Sequence, residues 1–229
     1  QAQAGNLVDG SCVADGQYDG SVDYFPDKIL VDFATHFEVT YNNSYKVVEV
    51  TAPGNEQKFV LYQCGTPVPN VPDADKYFSV PITKSVVAVT TLLPWIEQLG
   101  ERATIAGWGT VAPYSPCTAS LLRSGEIVDA ANGFNTNYTT AEAIGAEIVF
   151  ESFTPEGGLH PLAVAVTEYL ENSVLTTGEW IEFMSLFYNK EAEANAIFTT
   201  MKETYECHER RADFFQGNNY SVAWVEWST

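Results

Sequence analysis

One stretch constrains this chain more than any other. From Glu179 to Gln216, EWIEFMSLFYNKEAEANAIFTTMKETYECHERRADFFQ contains no Gly and no Pro, the two residues that most readily interrupt a helix. Apolar residues recur at helical spacing: Trp180, Met184, Phe187 and Tyr188, then Ala194, Ile197, Phe198, Met201 and Tyr205. Ahead of the run, Thr176 and Glu179 have the T-x-x-E spacing of a capping box and predict the N-terminal stop there. Unbroken, such a helix would be on the order of 50 Å long, more than a single globular domain needs. The expectation is therefore a helix carrying a body at each end. Asn189 and Lys190 mark the place for a bend or a division into two helices.

Composition narrows the classes of partner. The 229 residues carry a net charge of −19, which argues against nucleic acid, because phosphate binding needs clustered Lys and Arg. The same charge argues against adsorption to anionic lipid. No segment approaches the roughly 20 apolar residues of a membrane span, so no direct membrane insertion is expected. The opening QAQAGNLVDG is not a signal peptide and reads as a new N-terminus left by cleavage. Cys12, Cys64, Cys117 and Cys207 are widely spaced and match no zinc pattern. An even count fits two disulfides in an oxidising compartment, with all three pairings open and free thiols as the alternative. The N-x-S/T triplets at Asn42, Asn137 and Asn219 are no more than chance supplies and identify nothing.

Residues 1–36 read as an acidic, solvated lead-in, with Cys12 pinning it to the body; the Asp spacing misses a calcium loop. Short β-rich runs follow at Phe37–Thr40, Tyr45–Thr51, Lys58–Gln63 and Tyr77–Val80, read as a small antiparallel edge region. At Ser85 the rhythm changes. SVVAVTT is an apolar strand of the kind covered on both faces, and LLPWIEQLG a short helix with Pro94 in its first turn and Gly100 at its end. ATIAGW, AEIVFES and LAVAVTEY are further strands, and the polar residues 114–145 have helical promise at Thr118–Arg123 and Thr140–Ile144. Strand, helix, strand, segment, strand describes an α/β fold with an open, largely parallel sheet. After Gly217, YSVAWVEWS reads as one strand of a second α/β lobe that is otherwise missing. The domains are then 1–36 (lead-in), 37–170 (N-terminal α/β lobe), 171–216 (long interlobe helix region) and 217–229 (the truncated second lobe).

Catalysis has no visible constellation. Gly107-Trp108-Gly109-Thr110-Val111-Ala112 fits G-x-G-x-x-A, with Asp129 at ribose distance. Pro113 and Pro116, however, fall where the phosphate-binding helix would run; the glycines read instead as a tight strand exit. No nucleophile elbow and no phosphate loop occurs. His36, His160 and His208 are isolated, so no metal site is expected, and Glu206 to Glu209 are adjacent helical positions that point in different directions. What remains is a binding geometry. In an open α/β sheet, ligands sit beyond the carboxyl ends of the strands. Those ends are Thr90 and Thr91; Trp108 and Tyr114; Glu151, Ser152 and Phe153; and Tyr169. Aromatics and hydroxyls together suit a bulky ligand with some polar groups.

SVVAVTTLLPWIEQLGERATIAGWG, GAEIVFES and AVAVTEYLENSVLTTGEWIEFMSLFYNKEAEANAIFTTMKETY resemble the helical-hinge (class III) substrate-binding proteins of ABC transporters, the class that takes cobalamin and iron-siderophore complexes. EWIEFMSLFYNKEAEANAIF is the most specific part and is similar to the start of the interlobe helix. DYFPDKILVDFATHFEVTYNNSYKVVEVT and LYQCGTPVP resemble the extended N-terminal portion of a subgroup, where the resemblance implies a Cys12–Cys64 disulfide. It further implies two α/β lobes with a ligand held between them, captured in the periplasm, at the cell surface or in secreted form, and delivered to a membrane permease. No resident cofactor is expected beyond a bound corrinoid or iron chelate as ligand, and no enzyme activity. The strand end Glu151-Ser152-Phe153 departs from the family in lacking a cationic cluster, which favours a neutral or cationic ligand. The alternative reading is a secreted or cell-surface receptor or adhesion module that binds a protein through the acidic lead-in.

Overall fold

The computed structural model describes residues 5–8, 10–155, 157–214 and 223. In chain order its strands are β1 (Phe37–Tyr41), β2 (Tyr45–Val50), β3 (Gln57–Gln63), β4 (Lys76–Val80), β5 (Ser85–Val87), β6 (Ile105–Trp108), β7 (Val128–Asp129), β8 (Ala131–Asn132), β9 (Asn135–Thr136), β10 (Ile148–Glu151) and β11 (Ala163–Ala165). The α-helices are α1 (Leu93–Gln98), α2 (Pro116–Ser124), α3 (Tyr138–Ala143), α4 (Val174–Gly178), α5 (Trp180–Ser185) and α6 (Glu191–Phe214). The chain is a mixed α/β protein with a largely parallel sheet and a long C-terminal helix.

Two sheets carry the fold. Strands β5, β6, β7, β10 and β11 form the parallel sheet, in the order β11-β10-β5-β6-β7. Its strands are nearly all apolar and buried, as a sheet covered on both faces requires. The chain moves outward from β5 to β6 and β7 on one side and to β10 and β11 on the other. The order therefore reverses between β5 and β10. The expected edge region is instead a four-stranded sheet of its own, in the order β1-β2-β3-β4, and β4 lies parallel to β3. Only β1-β2 and β2-β3 are antiparallel.

The long helix is divided, and its first part is the centre of the core. Trp180 to Asn189 are all buried. The rings of α5 and the turn after it meet both sheets: Trp180 lies 5.0 Å from Phe37, Phe187 5.8 Å from Phe59 and 5.1 Å from Phe150. Each fully buried large side chain here is worth about 1.5–3 kcal/mol. The division falls at Asn189, which adopts φ +58°, a conformation that Asn tolerates better than most residues. The cap differs from expectation. Ser173 is the N-cap residue of α4 and forms the capping box with Thr176, so the helical region begins three residues earlier. Glu179, read as the box's acid, turns away and accepts the backbone N–H groups of Asp32, Phe33 and Ala34.

Those bonds also correct the picture of a solvated lead-in. Val13, Tyr24, Phe25 and Ile29 are buried in the main core. Glu171 accepts the N–H groups of Thr35 and His36. Cys12 is bonded to Cys64 as the resemblance implies. The second expected disulfide is absent: Cys117 on α2 and Cys207 on α6 are free and exposed. Behind Asn189, the buried ammonium of Lys46 donates to the Leu186 carbonyl, to Asn189 Oδ1 at 2.9 Å and to Glu191 Oε1 at 2.7 Å. Three donors meet three acceptors, as a desolvated ammonium requires. The readings of Gln1 to Ala4, of Asn219 and, Ala223 apart, of a strand at Ser221–Glu226 lie outside the described residues.

Candidate functional site

A cleft of about 250 Å³ opens at the carboxyl edge of the parallel sheet, beside the reversal between β5 and β10. Its walls include Ala88 after β5, Thr110 after β6, and Glu151, Ser152 and Phe153 at the end of β10. The fourth wall is the β8–β9 hairpin with the start of α3, which brings Phe134, Thr136 and Tyr138. Two larger depressions, of about 330 and 430 Å³, lie along Glu49, Lys58 and Asp75 and along Leu30, Phe37 and Val39. Both are open dishes on the four-stranded sheet and its lead-in, away from the reversal where ligands gather in such folds. The smaller, deeper cleft is the candidate.

Local chemistry explains why these groups meet. Gly107 and Gly109 serve close packing. A Cβ on Gly107 would lie 2.9 Å from Ile144 and Val86, and one on Gly109 would lie 2.8 Å from Thr136 Oγ1. The G-x-G-x-x-A spacing is thus a packing requirement that lets the hairpin lie against β6. Gly133 takes a positive φ in the two-residue turn of that hairpin, the position a tight hairpin reserves for Gly. The turn leaves Phe134 83% exposed in the lining of the cleft, to which the half-exposed Phe153 also contributes.

The polar floor is a short chain of contacts. The Tyr138 hydroxyl donates to Glu151 Oε1 at 2.8 Å. Burial, and then the bond to Glu151, push the Tyr138 hydroxyl well above its ordinary range, so it stays protonated and donating. Its ring stacks on His160 at 4.1 Å between centroids, and His160 Nε2 lies 3.6 Å from Glu142 Oε1. Lys76 donates to the carbonyls of His160 and Ala163, which fixes that segment from behind. Thr136 carries a buried hydroxyl oxygen with no partner among the described residues.

The predicted site residues separate into three groups. Glu151, Ser152 and Phe153 meet in the cleft. Thr90 and Thr91 open the short 3-10 turn after β5, where Thr91 donates to the buried Glu168 next to the exposed Tyr169. This second cluster lies at the ends of β5 and β11, and Glu168 is held above the usual carboxylate range by burial. Trp108 and Tyr114 depart from expectation in opposite ways. Trp108 is fully buried, its indole N–H satisfied by the Val111 carbonyl at 2.6 Å, so it packs the core instead of lining a wall. Tyr114 is 84% exposed, while its neighbour Ser115 caps α2 and donates to Glu97. Phe134, Thr136 and Tyr138 were not anticipated; the Asn132-Gly133 dipeptide is the signal that could have found their hairpin. Among the described residues, no group of three or more His, Cys, Asp or Glu is placed to hold a metal ion. Nor is any helix among them long and apolar enough to cross a membrane.

No protein-family model matches the chain. It is similar to a protein of Methanocaldococcus jannaschii described as an uncharacterized lipoprotein. The two are 27% identical over 183 residues, covering 71% of this chain and 44% of the relative. The chain thus spans less than half the length of the relative it matches.

Proposed function

We propose that this chain forms the ligand-holding lobe of a solute-binding protein outside the cytoplasm. In this reading it captures a metal chelate or corrinoid, without turning it over, and passes it to a membrane permease of an ABC-type uptake system. The observation that carries the reading is the cleft at the sheet reversal, with Phe134 and Phe153 at its mouth and Glu151 on its floor. Pockets of mainly apolar wall with a few fixed polar groups suit bulky organic ligands. The Cys12–Cys64 disulfide fits an oxidising compartment, and a relative described as a lipoprotein fits a protein tethered or released outside the cytoplasm.

Calorimetric titration of the full-length protein with cyanocobalamin and with a neutral ferric trihydroxamate tests this. At least one should bind, and Phe153→Ala should weaken it about tenfold, the scale of losing one aromatic contact of just over 1 kcal/mol. Thermal unfolding should stay unchanged, because Phe153 is half-exposed. Absence of binding by both compounds, and by their charged relatives, would overturn the reading. The receptor alternative draws support from exposed Tyr114 and Phe134. Its proposed contact surface, the lead-in, is built into the core, so deleting residues 1–35 would test folding before it tested partner binding.

A further inference from the structure

We infer that the cleft selects its ligand by charge, preferring one that sets a cationic group beside an apolar face, with Glu151 as the counter-charge. The inference rests on the solute-binding reading and names the ligand class for that site. Among the described residues no Lys or Arg lines the cleft, and Glu151 is the one carboxylate that does. Tyr138 occupies Oε1, and among the described residues no protein donor is bonded to Oε2. A half-buried carboxylate with one oxygen fixed and one free is a ready acceptor for an ammonium or another strong donor. In the reduced dielectric of a cleft, that contact is worth several times what it is in water. An anionic ligand would meet Glu151 without a compensating cation, and the protein's net charge of −19 would oppose its approach.

Tyr138 is the positioning residue. Its ring is clamped against His160, whose backbone carbonyl accepts from Lys76, so the hydroxyl holds the carboxylate in one orientation. The exposed faces of Phe153 and Phe134 are left for the apolar part of the ligand, and also for attraction to a cation over a ring.

The test uses matched probes on the full-length protein at fixed ionic strength. One pair is a linear ferric trihydroxamate with a free ammonium and a neutral macrocyclic ferric trihydroxamate. The other is cyanocobalamin and its monocarboxylate, and an anionic ferric tricatecholate completes the set. The wild type should hold the ammonium chelate about tenfold tighter than the neutral one, and each anionic probe should bind weakest. Glu151→Gln keeps the shape and removes the charge. It should bring the members of each pair within about threefold, and it should flatten the salt dependence of the ammonium chelate. Tyr138→Phe should keep the ranking with a smaller gap. A neutral probe that binds with no charge preference, a preference that survives Glu151→Gln, or tightest binding of the tricatecholate would overturn the charge selection and leave the solute-binding reading standing. Binding by none of the five probes would overturn both.

Discussion

Glu182 is the residue whose environment conflicts most with its chemistry. It lies on α5, 4% exposed, with carboxylate oxygen Oε2 unpartnered among the described residues. Burial first, then the negative charges of Glu179 and Asp32, push its carboxyl up to about 8. Lys28 and Lys202 line the small cleft beside it, but Lys28 is paired with Asp23 and Lys202 sits over the Phe33 ring. The folded protein therefore holds a proton that the unfolded chain releases above the ordinary glutamate range. Between about pH 4.5 and pH 8 the native state binds more protons, so stability falls as pH rises through that window. Glu182→Gln should remove this part of the slope and should exceed the wild type at pH 8.5 by on the order of 2 kcal/mol. Urea unfolding at pH 5 and pH 8.5 measures it; an unchanged slope in the variant would refute the assignment. Nothing in the sequence marked Glu182, because E-W-I-E reads as an ordinary first turn and burial on all sides of α5 is a tertiary fact.

At the scale of elements, a short-range pattern foretold what short-range physics decides. The four N-terminal strands fall within one residue of their β-branched runs, and α2 and α3 sit over the segments with helical promise. The division at Asn189 lies where the chain offers a residue able to adopt positive φ. Long-range pairing escaped the reading. The parallel alignment of β3 and β4, the pairing of β7 with β6, and the docking of the lead-in all depend on partners distant in sequence. That docking yields a sharp expectation. Glu179 satisfies three backbone N–H groups at once, and an unsatisfied buried donor costs about 1–3 kcal/mol. Glu179→Ala should lower stability by about 2–4 kcal/mol. Hydrogen exchange should accelerate at the amides of Asp32, Phe33 and Ala34 before it does so in β5 or β10. Uniform acceleration across the core would instead mean that the lead-in and core open as one unit.

For the whole molecule, one buried helix joins two sheets, and the candidate site lies where the parallel sheet reverses its order. α6, 24 residues and about 36 Å long, buries Ala194 and Phe198 against the body, while most of its later residues are exposed. Only the β10 wall of the candidate cleft was legible in the sequence. Glu151, Ser152 and Phe153 end an apolar strand, and strand ends in such sheets face the ligand crevice. The facing wall stands on a polar hairpin too short to show alternation, and Trp108 is a strand-end aromatic satisfied entirely within the core. Native mass spectrometry of the protein purified from its own source tests the central claim most directly. The account predicts a discrete small-molecule mass increment whose occupancy falls in protein carrying Phe153→Ala. An occupancy unchanged in that variant, or source protein without any increment that also ignores added corrinoid and chelate, would contradict it.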